Sequence, residues 1–252
     1  MKYVFAGDRQ ISVNILKWII DRGYSPSALI VSNGKNESHA HELIKISNLP
    51  EDRVFVAKSF SEPASIVTLN SLDADYFIGI HFPYIISSEV LIIPKIGFLN
   101  LHPAYLPYNK GWHTPSWAIL DGTSYGATLH FMSEALDEGD IIHQKKMEVK
   151  PNDTANSLYK KGLTLEEEVF QEAFDDLLSL NPKRQKQNFK GTSNKKGDLI
   201  KVQEIKLLDT YKAEELINIL RALTTNDLNE AAYFIKDGKK ITIQINLLTK
   251  DE

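Results

Sequence analysis

The first half of the chain alternates short apolar runs with amphipathic stretches, and this rhythm constrains the fold more than any other feature. The apolar runs have the length of buried strands, and they occupy residues 3–6, 28–31, 54–57, 76–80 and 97–101. Residues 11–22 carry apolar side chains at helical spacing, and residues 38–47 form a second predicted helix. Alternating strands and helices favour an α/β fold with a mostly parallel sheet and helices on both faces.

The predicted sheet is Rossmann-like, and such sheets bind ligands beyond the carboxyl ends of their strands. Beyond residue 101, the sequence predicts two more strands at 125–132 and 141–149, followed by a long helix at 152–178. We therefore expect a main domain at residues 1–180. Residues 181–198 are rich in lysine and arginine and poor in apolar residues, which favours a solvated linker over a patch for an anionic partner.

A small C-terminal unit at residues 199–252 follows the predicted linker. Helical spacing predicts a helix at 213–223 and a hairpin around Asp237-Gly238, a pair favoured in two-residue turns. The apolar face of that helix consists of Leu216, Ile219, Leu220 and Leu223. A unit of this size has little core of its own, so we expect it to form a homodimer or a domain clamp. The alternative is that its helix folds back on the main domain.

Charge and composition exclude several classes of protein. The 29 basic and 33 acidic residues give a net charge of −4, which argues against a protein that mainly binds nucleic acid. The lack of cysteine excludes disulfides, thiolate metal sites and a cysteine nucleophile. No apolar run reaches the roughly 18 residues of a membrane span, and the apolar start is too short for a signal peptide. We therefore expect a cytoplasmic protein with no membrane partner.

The stretch from Gly97 to Pro107, with the sequence GFLNLHPAYLP, carries the clearest chemical signal. It places Asn100 and His102 two residues apart at the end of a predicted strand, so both side chains point to the same side. An amide and an imidazole held together can donate hydrogen bonds to a developing oxyanion, and the imidazole can also move a proton.

An acidic loop, Leu136-Asp137-Glu138-Gly139-Asp140, lies between the last two predicted strands of the main domain. A carboxylate from this loop placed against His102 would orient the ring and favour its charged form. The pattern N-x-H-P-x-x-L-P followed about 30 residues later by L-D-x-G-D-I resembles the folate-dependent formyltransferase family. The resemblance covers roughly residues 1–178 and implies that Asn100, His102 and Asp137 are the catalytic residues, which makes 1–180 the catalytic domain.

The same resemblance implies the cofactor and its contacts. The formyl donor would be 10-formyltetrahydrofolate, with no metal involved. Its pterin would lie against the backbone of two segments, the first formed by Tyr84, Ile85 and Ile86 and the second by Glu134, Ala135 and Leu136. Asn100 and His102 would stabilise the tetrahedral oxyanion, while Asp137 would orient His102 and help to carry the proton away.

Residues beyond the catalytic strand are candidates for binding the acceptor. Lys110, Trp112 and His113 follow that strand directly, and Arg9 opens the first predicted helix, where phosphate binds favourably. The alternative for the loop residues is a helix start with its tryptophans in the core. His81 is a candidate for the folate pocket or a packed loop residue, and His130 is expected to be structural.

The short tail favours one branch of the family. A methionyl-tRNA formyltransferase needs a large basic domain for tRNA, and a glycinamide ribonucleotide formyltransferase leaves the tail unexplained. The layout looks most like the nucleotide-sugar N-formyltransferases, with a dTDP- or UDP-linked amino-deoxy sugar as acceptor. A formyl-folate hydrolase and a non-catalytic folate-binding protein on the same fold remain as alternatives, and the intact catalytic trio argues against the second.

Overall fold

The computed structural model describes residues 1–34 and 37–250 and contains a seven-stranded sheet. The strands of this sheet are β1 (Tyr3–Gly7), β2 (Ala28–Val31), β3 (Val54–Val56), β4 (Tyr76–Ile80), β5 (Gly97–His102), β7 (Tyr125–Phe131) and β8 (Ile141–Met147). Four further strands are β6 (Lys110–Gly111), β9 (Ser193–Asn194), β10 (Ala232–Lys236) and β11 (Lys239–Ile243).

The α-helices are α1 (Arg9–Ile20), α2 (Ala40–Ser47), α3 (Pro63–Ser71), α4 (Ser88–Leu91), α5 (Thr114–Leu120), α6 (Ala155–Leu178) and α7 (Ala213–Ala222). Short 3-10 helices lie at Glu51–Arg53, Ser59–Ser61, Lys196–Val202 and Leu228–Glu230. None of the helices in the described part of the chain is both long and apolar enough to cross a membrane.

The strand order is β3-β2-β1-β4-β5-β7-β8. The first five strands in this order pair in parallel, whereas β7 pairs antiparallel with β5. The predicted α/β fold with a mostly parallel, Rossmann-like sheet is confirmed. From β1, the strand order runs to one edge of the sheet through β2 and β3 and to the other through β4 and β5, so the order switches between the parallel neighbours β1 and β4. The carboxyl ends of these two strands form the crevice where such folds bind ligands.

Both faces of the parallel sheet are covered. Val4 and Ala6 of β1 pack in one cluster with Leu69 of α3 and Val90 of α4. The alternate β1 residues, Tyr3 and Phe5, are also fully buried, and α1 packs against α2. On α1, the Trp18 ring packs edge-on against Phe174 of α6, with 5.0 Å between the ring centroids. The sequence did not indicate α3, because Ile66, Val67 and Thr68 are β-branched and lower its helix propensity.

The chain divides into two compact units. The first consists of Met1–His102, Thr128–His143 and Glu166–Gln187. The second consists of Pro103–Ala127, Gln144–Leu165 and Asn188–Glu252. The predicted boundaries at residues 180 and 198 stay a prediction.

In the second unit, the C-terminal helix α7 packs on α5. The face of α7 predicted to be apolar joins Trp117 and Leu120 in one hydrophobic cluster, together with Leu199 and Ala232. Arg221 of α7 is only 9% exposed and donates hydrogen bonds to the backbone carbonyls of Asp153 and Lys150, at 2.8 and 2.7 Å. These bonds satisfy carbonyls just ahead of α6 and fix α7 to that segment.

The hairpin β10–β11 and the basic segment both carry regular structure. Asp237 and Gly238 have φ angles of 51° and 72°, as a two-residue turn with two left-handed positions requires. Within the segment predicted as a solvated linker, Gln185 pairs with Ile141 through its backbone, and β9 pairs in parallel with β6. The backbone polar groups of this segment are therefore partly satisfied by neighbouring strands rather than by water alone.

Candidate active site

The three predicted catalytic residues lie in the first unit and come together beside the end of β5. The Nε2 atom of His102 lies 3.6 Å from Oδ2 of Asp137, and these two side chains are only 7% and 8% exposed. The other carboxylate oxygen of Asp137, Oδ1, lies 3.7 Å from Nε2 of His130. Nδ2 of Asn100 lies 3.3 Å from that same His130 nitrogen. An amide, two imidazoles and one carboxylate therefore form a single buried cluster.

The strand register explains how His130 enters this cluster. Asn100 on β5 lies directly opposite His130 on the antiparallel strand β7. Directly paired residues point to the same face of a sheet, so a side chain opposite Asn100 must share its site. His130 therefore contacts Asn100, and the expectation that His130 is structural stays a prediction. The alternation in residues 125–132 predicted the strand, but one sequence does not reveal which residue faces Asn100.

His130 is neutral at ordinary pH. The pKa of His130 is lowered to about 4, chiefly by burial. Asp137 and the hydrogen bond to Phe131 oppose this shift by favouring the charged ring, and the nearby His102 adds to it. The Nδ1 atom lies 2.8 Å from the carbonyl oxygen of Phe131, so Nδ1–H donates there. Nε2 is then left as an acceptor for the Asn100 amide. The neutral ring thus orients Asn100 by accepting a hydrogen bond from one of its side-chain N–H groups.

The loop that carries Asp137 has an unusual backbone. Asp137 has a φ of 53°, in the left-handed region, which costs an L-residue roughly 1 kcal/mol. At Gly139, a Cβ atom would lie 1.8 Å from the carbonyl oxygen of Phe131, so only glycine fits there. The side-chain amide of Gln187 donates to the carbonyls of Asp137 and Gly139, at 2.8 and 2.9 Å. No motif in the sequence links Gln187 to this loop, which lies about fifty residues earlier in the chain.

The two segments predicted to contact a pterin lie in the first unit. Ile86 is buried, while Ile85 is 95% exposed and Leu136 is 59% exposed. Glu134 and Ala135 are exposed as well. Tyr84 donates a hydrogen bond from its hydroxyl to Oδ1 of Asn33 at 3.1 Å. Exposed apolar side chains in both segments suit an apolar ring system, and the assignment stays a prediction.

Arg9 and His81 lie at the carboxyl ends of the adjacent strands β1 and β4. Arg9 is exposed and begins α1 with a φ of 68°. The preceding Asp8 is buried, and its carboxylate accepts hydrogen bonds from the backbone N–H groups of Ser38 and His39. Nε2 of His81 lies 2.9 Å from a carboxylate oxygen of Glu166, which is fully buried. His81 is therefore a packed residue held by a carboxylate partner.

The second unit carries the other predicted acceptor residues. Lys110 is only 3% exposed, and the ring nitrogens of His113 face the carbonyl of Lys196 at 3.2 Å and the carboxylate of Glu230 at 3.5 Å. Trp112 is 48% exposed, and the ammonium of Lys196 lies 5.0 Å from its ring centroid. Exposure and charge favour Trp112 as a ligand contact, while the roles of Lys110 and His113 stay predictions.

His39 and His41 were expected to be surface residues rather than metal ligands. Across residues 1–34 and 37–250, no group of three or more histidine or carboxylate side chains is arranged so that it could hold a metal ion.

The depressed pKa of His130 predicts a pH-dependent stability. The unfolded chain binds this proton below about pH 6.5 and the folded chain only below about pH 4, so stability is lost as pH falls through this window. We expect wild type to lose about 2 kcal/mol more than His130→Gln between pH 7.5 and pH 5, measured by urea unfolding at pH 7.5, 6 and 5. His143→Gln, at a half-exposed histidine, should behave as wild type. Equal pH dependence in wild type and His130→Gln would contradict the assignment.

Two family models match this chain. A model described as "Formyl transferase" matches residues 21–174, which include all three predicted catalytic residues. A second, described as "N-formyltransferase dimerization C-terminal domain", matches residues 198–250.

Curated relatives fall into two groups. The dTDP-4-amino-4,6-dideoxyglucose formyltransferase of Mycobacterium tuberculosis is 29% identical over 62% of this chain and 67% of the relative. The methionyl-tRNA formyltransferase of Clostridioides difficile is 30% identical over 75% of this chain and 63% of the relative.

Solved structures share the fold over nearly the whole chain. A 4-N formyltransferase from Francisella tularensis has 25% identity and a TM-score of 0.83, covering 99% of this chain and 98% of its own. An N-formyltransferase from Helicobacter canadensis, solved with folinic acid and dTDP-3-aminofucose, has 22% identity and a TM-score of 0.69, covering 96% and 86%. The first family model spans more than half of the sequence, and the chain therefore belongs to the formyl transferase family.

Proposed function

We propose that this protein transfers the formyl group of 10-formyltetrahydrofolate to the amino group of a dTDP- or UDP-linked amino-deoxy sugar. The observation that carries the proposal is the buried cluster of Asn100, His102 and Asp137 in a chain of this family. The Mycobacterium tuberculosis and Helicobacter canadensis relatives support the choice of nucleotide sugar as acceptor and folate as donor. We also propose a cytoplasmic location, which is consistent with the absence of cysteine.

The cluster suits attack by an amine on a formyl carbon. The donor supplies an activated formyl group. Asn100 and His102 donate hydrogen bonds to the formyl oxygen as it becomes an oxyanion, and such donors contribute most in a dry site. Asp137 stabilises the charged form of His102 and accepts the proton that leaves the attacking amine. When the tetrahedral centre collapses, the bond to the folate nitrogen breaks, and a proton returned from the cluster completes tetrahydrofolate.

The neutral His130 contributes by orientation. Its Nε2 accepts a hydrogen bond from one N–H group of the Asn100 amide. The second N–H group of that amide can then donate to the oxyanion. Low charge on His130 also avoids repulsion with a protonated His102, whose ring centroid lies 6.2 Å away. His130 is thus a positioning residue in this proposal.

A nucleotide-linked sugar combines an aromatic base with two phosphates. Trp112 offers a half-exposed indole for stacking, and Lys196 beside it offers positive charge. Phe189, 53% exposed and packed against Tyr108, adds a second aromatic surface in the second unit. Within the second unit, we assign the sugar to the neighbourhood of Lys110 and His113. Arg9 belongs to the first unit, and its contact with phosphate stays a prediction from its place at the start of α1.

The C-terminal tail favours a sugar acceptor over a tRNA acceptor. Its residues 198–250 match a model of N-formyltransferase dimerization, and the net charge of the chain is −4. Eight of the sixteen large apolar side chains that are exposed among the described residues lie in this tail. A concentration of exposed apolar surface marks an interaction site, so we propose that the tail mediates a homodimer.

The catalytic assignment predicts a large loss of turnover in two variants. With formyltetrahydrofolate and a panel of dTDP- and UDP-linked amino sugars, His102→Asn and Asp137→Asn should lower kcat about 100- to 1000-fold, because each removes transition-state stabilisation. Tetrahydrofolate release and product mass measure the reaction, and His143→Asn is the matched control. Near wild-type turnover of His102→Asn would refute the assignment, and equal folate turnover without any amino sugar would indicate a hydrolase.

The acceptor assignment predicts a binding defect in Trp112→Ala. Loss of base stacking should raise KM for the nucleotide sugar about 10- to 100-fold with little change in kcat, because stacking acts equally on substrate and transition state. Trp112→Phe should retain most of the affinity, and KM for the folate donor should not change in either variant. An unchanged KM for the sugar in Trp112→Ala would remove this residue from the acceptor site.

The dimer assignment predicts a change in mass. Ile235 and Ile241 of the hairpin are 47% and 41% exposed, and replacing both by aspartate should give a monomer in light scattering because charge would be buried at the interface. Val67→Asp, at an exposed position of α3 outside the tail, should stay dimeric. A wild-type protein that is monomeric at micromolar concentration would contradict the dimer.

A further inference from the structure

Gln187 makes an unusual contact with the loop of the catalytic aspartate. It lies in the segment that the sequence predicts to be a linker, yet one side-chain nitrogen donates to two backbone carbonyls, those of Asp137 and Gly139. We propose that Gln187 is a positioning residue for formyl transfer, holding the Asp137 carboxylate towards His102 and His130. The inference rests on the proposed function for its effect on catalysis.

The geometry of the loop explains why such a clamp matters. Asp137 adopts a left-handed backbone conformation, and Gly139 packs against the carbonyl of Phe131 with no room for a side chain. Such conformations persist only where the surrounding structure fixes them. The orientation of the Asp137 carbonyl is tied through the backbone to the direction of its side chain. A bond to that carbonyl therefore restrains the carboxylate as well.

The segment that bears Gln187 is itself fixed to the sheet. Gln185 exchanges two backbone hydrogen bonds with Ile141, at 2.8 and 2.9 Å. Arg184 donates to the carbonyl of Ile96, just before β5, and its guanidinium lies 3.6 Å from the ring centroid of Phe131. The backbone that bears Gln187 is therefore held by contacts at or beside β5, β7 and β8, and this fixes the position of the Gln187 amide at the loop.

The polar atoms of Gln187 are used unequally. Its Nε2 makes both bonds to the loop, whereas its buried Oε1 accepts no hydrogen bond from the described residues. A buried acceptor without a donor is unfavourable, so the side chain is costly as a mere filler of space. The N–H donors are what distinguish glutamine from an apolar residue of the same shape at this position.

Steady-state kinetics in the full-length protein test the role of these donors. Gln187→Met keeps the shape and removes the donors, and we expect kcat to fall about 10- to 100-fold with both KM values within about twofold, because misplacement of a catalytic group acts on the transition state. Gln187→Lys restores a donor and should recover most of kcat. Gln185→Met is the matched control and should equal wild type, since Gln185 pairs through its backbone. Wild-type kcat in Gln187→Met, or an equal loss in Gln185→Met, would overturn the inference.

A spectroscopic readout separates this inference from the proposed function. The ring nitrogen resonances of His102 and His130 at neutral pH report the position of the Asp137 carboxylate, and Asp137→Asn provides the reference change. Gln187→Met should shift these resonances in the same direction, while Gln185→Met should leave them unchanged. If wild type transfers no formyl group but the shifts appear, the proposed function fails and the clamp stands. Wild-type resonances in Gln187→Met would refute the clamp whatever the reaction.

Discussion

The antiparallel pairing of β5 with β7 is the interaction on which the candidate site depends. Its register sets Asn100 opposite His130 and His102 opposite Thr128, and it places the Asp137 loop after the far end of β7. Because side chains alternate along a strand, a slip of one residue would turn His130 to the other face and carry the aspartate loop away. The parallel strands form the crevice where such folds bind ligands, and the antiparallel strand β7 adds His130 and leads into the Asp137 loop.

Burial gives the cluster its electrostatic character. His102, His130 and Asp137 have nearly inaccessible side chains, so each feels the charges of its neighbours far more strongly than it would in water. One result concerns the charge of His130. Burial keeps His130 neutral, and its Nε2 accepts a hydrogen bond from Asn100. The Nε2 atoms of both rings face the carboxylate of Asp137.

Local patterns predicted most of the fold, and the resemblance to a known family pointed to Asn100, His102 and Asp137. The strands at 28–31 and 76–80 have the predicted bounds, because uninterrupted apolar runs between polar segments leave little choice of state. The sequence did not predict α3, because its β-branched residues lower the helix propensity. It did not predict β9 either, because the pairing of β9 with β6 depends on tertiary contacts alone. The contacts that His130 makes with Asn100 and Gln187 makes with the Asp137 loop escaped the sequence for the same reason, since one comes from strand register and the other spans about fifty residues.

Most residues proposed for the chemistry and most residues proposed for acceptor binding belong to different units of the chain. Asn100, His102, Asp137 and the loop clamp belong to the first unit, whereas Lys110, Trp112 and His113 belong to the second. A substitution in the second unit can alter which molecule is bound without disturbing the buried cluster, whose own register and loop backbone tolerate little change. Acceptor preference can thus drift through mutation while the reaction stays the same, which allows one chemical step to be reused for many different amines.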